Sequence, residues 1–384
     1  MRMNTLDIGR RRLLQAAGAS AALMALPATA TPTAGKASAT ALSGYSRRAR
    51  AIVERALVID MLAPLRIDLR EDAYAEPLSA GEIADFRRSG ITAMHHSWGI
   101  EGPDAHSQVL AHMAGWYGLI AHHADLFVLV RGVADLERAK ADGKVAVIFG
   151  VQNADHFRGV DDVKLFHGMG QRCAQLTYNS QNLIASGSTD RVDGGVSDFG
   201  AAIIAGMEST GMLVDVSHCG PRTTLDAIEI ARGPIAITHS NCQALLDHPR
   251  LKSDEAIRRL AAKGGVMGIT GVRMFVTGAE PTTIEHIVDH IDHVARLVGI
   301  EHVGIGSDAD LYGYDAMPAE QLAQLKAAYK ASYGFRDRID IAGFDHPLKI
   351  YDLVEALIRR GYGDADIALV LGGNFRRLLG QVWR

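Results

Sequence analysis

The chain has 384 residues, 48% of them hydrophobic and 22% charged, with a formal charge of −4. That composition supports a large core and excludes a disordered or fibrous chain. No basic field is present to draw nucleic acid, and three cysteines (Cys173, Cys219 and Cys242) allow one disulfide at most, not a disulfide framework.

The N-terminus comes first in chain order. Residues 1–30 carry Arg10, Arg11 and Arg12, an apolar run from Leu13 to Leu26 and the small residues Ala28, Thr29 and Ala30. This is the pattern of a twin-arginine export signal cut after Ala30, and it predicts a periplasmic protein. The apolar run falls short of the ~20 residues a membrane-spanning helix needs, so no stable span is expected once the signal is removed. Loss of Arg2, Arg10, Arg11, Arg12 and Asp7 takes the formal charge to about −7. Residues 31–50 read as a linker leading into an N-terminal helix, and 51–384 as one barrel domain.

From residue 56 short β-branched runs alternate with helical patterns. The runs are ALVID (56–60), ITAMHHSW (91–98), LFVLVRG (126–132), VAVIFGVQ (145–152), CAQLTYN (173–179), MLVDVSH (212–218), IAITHS (235–240), GVMGITG (265–271) and HVGIGSD (302–308). Near-continuous apolar runs of this length are strands buried on both faces of a parallel sheet. Helical segments such as VDDVKLFHGMG, DFGAAIIAGMESTG and TTLDAIEIARG lie between them and end in glycine. Repeated βα units predict an α/β fold, a TIM-like (β/α)8 barrel with a C-terminal helical extension, and a doubly wound open sheet is the alternative. Nine runs are one too many for eight staves, and LFVLVRG is taken as the extra. No glycine-rich phosphate loop follows the first strand.

Polar residues collect at the C-terminal ends of these strands: His95, Gln152, Tyr178, Asn179, Asp215, His218, His239 and Asp308. In a parallel barrel that edge is where active sites form. Histidines closing two consecutive strands, His218 and His239, are candidate metal ligands. His96, beside His95, should face the other side of its strand. His122 and His123, and the His286, His290, His293 face of a later helix, read as packed or solvated surfaces, not metal sites.

The segments LVDVSHCGPRTTLDAI, ITHSNCQALLDHPRLKSDEAIRRLAAKGGVMGI, HIDHVARLVGIEHVGIGSDAD and LVLGGNFRRLL, in that order, resemble the membrane dipeptidase (renal dipeptidase) family of zinc peptidases. The resemblance runs from about residue 50 to the C-terminus. It implies a TIM-like barrel that hydrolyses dipeptides with two zinc ions bridged by a glutamate. Transferred residue by residue, it gives His218 and His239 to the second zinc, Arg250 to the substrate carboxylate and Asp308 to proton transfer. The positions of the family's first-zinc His-x-Asp pair hold Leu62 and Pro64 here. Its bridging glutamate corresponds to Gln152, and its carbonyl-polarising histidine to Tyr178. The chain is therefore a divergent member with the first metal subsite altered.

The resulting expectation is a metal-dependent hydrolase that cleaves dipeptides or related small amides with a free carboxylate. The cofactor is Zn²⁺, one ion, with two not excluded. His218 and His239 hold it, and Asp60, His95, Asp308 or Gln152 could complete the set. Tyr178 or Asn179 stabilises the oxyanion, Arg250 and Tyr178 bind substrate, and Asp308 moves the proton. The partner is a dipeptide-like small molecule; a homodimer stays open. Gln152, Leu62 and Pro64 keep two rival readings alive: another enzyme on the same barrel (isomerisation, elimination or tailoring of an amino-acid-derived metabolite), or a non-catalytic periplasmic binding protein.

Overall fold

The computed structural model describes residues 39–383 apart from 69 and 71. The predicted export signal, residues 1–30, and the first part of the predicted linker lie outside the described residues. What is described of the linker is a 3-10 turn, Ala39–Gly44, followed by a helix, Arg47–Arg55.

Every predicted strand run carries a strand: β1 Ile59–Asp60, β2 Ala93–Trp98, β3 Phe127–Leu129, β4 Val145–Val151, β5 Gln171–Gln175, β6 Leu213–Asp215, β7 Ala236–Ser240, β8 Val266–Ile269 and β9 Val303–Ile305. All pair in parallel. Eight close the ring β1-β2-β4-β5-β6-β7-β8-β9, which returns to β1 through Asp60 and Ile305. β3 stays outside it. It lies against residues 145–147 of β4, while β5 takes the same edge from residue 149 onward. LFVLVRG is thus the extra strand, and the architecture is a TIM-like (β/α)8 barrel.

Period-two alternation sorts the core into layers. Val147, Phe149, Val214, Ile237, Met267 and Ile305 face the surrounding helices. Ile59, Met61, Ala93, Ala146, Ile148, Cys173, Leu213, Ala236 and Val266 form a second cluster inside the ring. The last helix, Asn374–Val382, packs Phe375, Leu378 and Leu379 against that inner cluster and stops the barrel at its N-terminal end. Gly304 makes room for this plug, since a Cβ there would meet the Phe375 ring at 2.5 Å.

Helix ends follow capping chemistry. Ser197 accepts from the Gly200 amide at the start of the Asp198–Thr210 helix, and Gly211 closes it at φ 80°. The TTLDAIEIARG helix instead stops at Ile230, before its glycine, because Glu208 accepts from the Arg232 and Gly233 amides, each at 2.7 Å, and pulls the chain into a turn. The C-terminal extension consists of helices Lys349–Arg360, Asp364–Ala368 and Asn374–Val382. Before it, the Ala319–Ala327 helix and the Ala331–Tyr333 turn bring Leu325, Tyr329 and Tyr333 over the C-terminal mouth of the ring.

Candidate active site at the barrel mouth

A cavity of about 570 Å³ opens at the C-terminal mouth, lined by Trp98, Gln152, Tyr178, Asn179, Asp308 and Tyr329 among others. A larger groove, about 700 Å³, lies at the N-terminal ends of β2 and β4 and contains none of the candidate site residues.

Below the cavity floor, three residues beyond the end of β6 and near the end of β7, His218 and His239 converge, with their Nε2 atoms 2.9 Å apart. The other ring nitrogens define what those atoms are. His218 Nδ1 faces Asn179 Oδ1 at 2.8 Å, and a carboxamide oxygen only accepts, so Nδ1 carries the proton. His239 Nδ1 faces Thr238 Oγ1 at 2.8 Å. The Thr238 hydroxyl donates to Asp215 Oδ2 at 2.6 Å and is left as an acceptor, so His239 Nδ1 is protonated too. Both Nε2 atoms therefore present lone pairs to each other. Burial, with the Arg250 charge next, holds both imidazoles well below their ordinary pKa and keeps them neutral.

Two facing lone pairs repel unless a cation lies between or beside them. Their separation lets both reach one ion at the ~2.0–2.1 Å of zinc–imidazole bonds. The pair fits a single cation. Asp215 supports the pair through Thr238, accepting from the Thr238 hydroxyl and from Ser217 Oγ, each at 2.6 Å. Among the described residues no group of three or more His, Cys, Asp or Glu converges as a metal-holding set, so the imidazole pair has no third protein ligand of these types.

The other expected ligands are accounted for individually. Asp60 turns away from the inner parity of Ile59 and Met61, and its Oδ1 accepts from the amides of Ser307 at 2.8 Å and Leu62 at 3.3 Å. Those contacts place it behind the β9 loop, not on the histidine pair. His95 does enter the ring. Its Nδ1 donates to the Met61 carbonyl at 2.7 Å, and Nε2 is buried without a partner. The ring fills the space a side chain at position 150 would need, which explains Gly150. Gln152 donates through Nε2 to the Ser97 carbonyl at 3.1 Å, leaving Oε1 unpartnered. His96 faces the helix layer and stacks near His112 and Trp116, as alternation requires.

Tyr178 lies flat on His218, with ring centres 4.2 Å apart and planes at 20°, and its hydroxyl meets that of Tyr329 at 2.8 Å. Asn179 keeps a buried, unpartnered Nδ2 donor beside the same imidazole. Arg250 is 1% exposed. One nitrogen, Nη1, donates to the Ser217 carbonyl, while Nε and Nη2 have no partner, and the guanidinium lies 5.4 Å from the Phe275 ring centre. A fully buried guanidinium with two idle donors is shaped to take an anion. Asp308 lines the cavity with φ 59°, a left-handed conformation uncommon outside glycine. Burial pushes its carboxyl up to about 7, with the Arg250 charge opposing and Asp60 adding to the rise.

Sequence reasoning missed Thr238, Ser217, Lys349 and the tyrosines 314, 329 and 333. The recurrence of tyrosine between 312 and 333 is the available signal for the last group. All three cysteines are free and buried. His290 and His293 serve packing contacts: His290 Nε2 donates to Val276 O, and His293 pairs with Asp254.

Fold and site define a parallel barrel with two convergent imidazoles and a buried guanidinium beneath its mouth cavity. The model of the membrane dipeptidase family, peptidase family M19, matches residues 46–327, and the chain belongs to that family. A dipeptidase, verJ, of Clonostachys rogersoniana is 31% identical over 69% of the chain, and the dipeptidase aclJ of Aspergillus oryzae is 29% identical over 69%. The chain spans 62% and 58% of the length of these two relatives. Among solved structures, an amidohydrolase from Pseudomonas aeruginosa is 30% identical and superimposes with TM-score 0.76, covering 87% of this chain and 99% of the other. A metallo peptidase from Rhodobacter sphaeroides, liganded with a phosphinate mimic of the dipeptide L-Ala-D-Ala, shares the fold at 18% identity and TM-score 0.71, covering 85% and 99%.

Proposed function

We propose that the protein is a metal-dependent hydrolase of dipeptides or related small amides with a free carboxylate, working with one zinc ion. The observation that carries the reading is the facing lone pairs of His218 and His239 beside the two idle donors of Arg250. A cation at the pair supplies Lewis-acid polarisation of carbonyl and water. The chain's own groups do the rest. Arg250 Nε and Nη2 grip the substrate carboxylate and fix where the scissile amide lies. Asn179 Nδ2 donates to the carbonyl oxygen as negative charge develops there. Asp308, with a carboxyl poised near neutrality, accepts a proton from attacking water and returns it to the leaving amine.

Turnover of a panel of dipeptides and their C-terminal amides, with and without added Zn²⁺, tests this. The reading expects zinc-dependent cleavage of free-carboxylate dipeptides and at least ~100-fold weaker cleavage of the amides, two charge-assisted hydrogen bonds being lost. Zinc-loaded protein inert to the whole panel would refute it. The incomplete ligand set favours one rival, a non-hydrolytic enzyme on an amino-acid-derived carboxylate. That rival predicts binding of such acids without their hydrolysis.

Export by the twin-arginine route to the periplasm is part of the proposal, resting on the arginines at 10–12. Arg11→Lys with Arg12→Lys should leave the protein in the cytoplasmic fraction.

A further inference from the structure

Asp308 adopts its left-handed conformation inside a network that the sequence does not advertise. Lys349 is fully buried at the first position of its helix, where the helix dipole opposes a cation. Buried lysines are rare without a specific task. The Lys349 ammonium donates to Asp310 O at 2.7 Å, Ser307 Oγ at 3.2 Å and Ala309 O at 3.3 Å, so it grips the chain on both sides of Asp308. From the other side Asp60 accepts from the Ser307 amide, and the Leu62 carbonyl accepts from the Asp308 amide at 2.8 Å. The Asp310 carboxylate anchors the loop beyond, accepting from the amides of Ile67, Tyr312 and Gly313.

We infer that Lys349, with Asp60, is a positioning residue that holds the Asp308 carboxyl at the cavity by clamping the residues on either side of it. The catalytic part of this inference rests on the reading of Asp308 as the proton-transfer group; the clamp itself does not. Without the ammonium, Asp310 O loses its donor and Ala309 O keeps only Ser307 Oγ at 3.1 Å, so the chain beyond residue 308 loosens while the Leu62 carbonyl alone holds residue 308 directly. Its backbone is then free to leave the left-handed well, which costs about 1–2 kcal/mol to occupy.

Lys349→Met keeps the length of the side chain and removes charge and donors. The double variant Asp60→Asn/Lys349→Met, which removes both members of the Asp60–Lys349 charge pair, serves if the single variant does not fold. Two readouts separate the clamp from the chemistry. In hydrogen exchange by mass spectrometry, the peptide spanning 303–312 should exchange at least ~10-fold faster, while β6 and β7 peptides are unchanged. In kinetics, Lys349→Met should lower kcat about 10–100-fold with KM within about twofold, and less than twofold when Asp308→Ala is already present. Unchanged exchange at 303–312 overturns the clamp. Equal losses of kcat in both backgrounds overturn positioning through Asp308. If no zinc-loaded form turns over any substrate, the functional reading fails, and exchange alone decides the clamp.

Discussion

Arg250 is the residue on which the proposed recognition of a free carboxylate rests. A guanidinium that is 1% exposed with two unpartnered nitrogens is costly to fold around unless an anion completes it. Arg250→Met should raise KM for free-carboxylate substrates about 100-fold or more, with little change in protein stability; an unchanged KM would remove the arginine from substrate recognition. Asp308 carries a pH signature. Its carboxyl, near 3.8 in the unfolded chain, is held up to about 7 by burial in the metal-free fold. The unfolded chain therefore gives up the proton first. Stability is undiminished below about pH 4 and falls by up to about 4 kcal/mol as pH rises to 7. Asp308→Asn should erase that fall, so urea titrations of metal-free protein should show the variant gaining on the parent between pH 4 and 7. Parallel curves would contradict it. At this scale His218, His239, Arg250 and Asp308 are legible in the sequence because each ends a strand run or sits in a family motif. Asp60 is not: a two-residue strand followed by a bend turns its side chain behind the β9 loop, which no local pattern reveals.

The strand runs and the ring order come from apolar patterning, and the one surplus run can be singled out from the sequence, though not its place on the outer edge of β4. Helix ends are less readable: just past the end of the Pro221–Ile230 helix, the Arg232 amide bonds to Glu208, 24 residues earlier in the chain. The mouth segment 314–335 reads only as polar and helical, since its tyrosines acquire meaning when folded back over Asp308 and Arg250. The β2–β4 contact offers a direct check on the inner layer. Gly150→Ala places a methyl group in the space of the His95 imidazole. It should cost about 1–3 kcal/mol or more by overpacking, and His95→Ala should recover most of that loss in the double variant. Additive losses in denaturant unfolding would mean that His95 does not occupy the lumen beside Gly150.

Taken whole, the molecule is a barrel plugged at one end by its last helix and covered at the other by an aromatic lid, with its polar groups concentrated between. The rival readings differ over what that interior holds. We propose a single cation at the facing, neutral imidazoles, the residues at 62, 64 and 152 being neutral or apolar. The decisive measurement is the metal content of mature protein purified without chelators, compared with His218→Ala. One equivalent of metal per chain, lost in the variant with the fold intact, is the predicted result. A parent protein without metal, or one holding two equivalents, would contradict a centre built for a single ion.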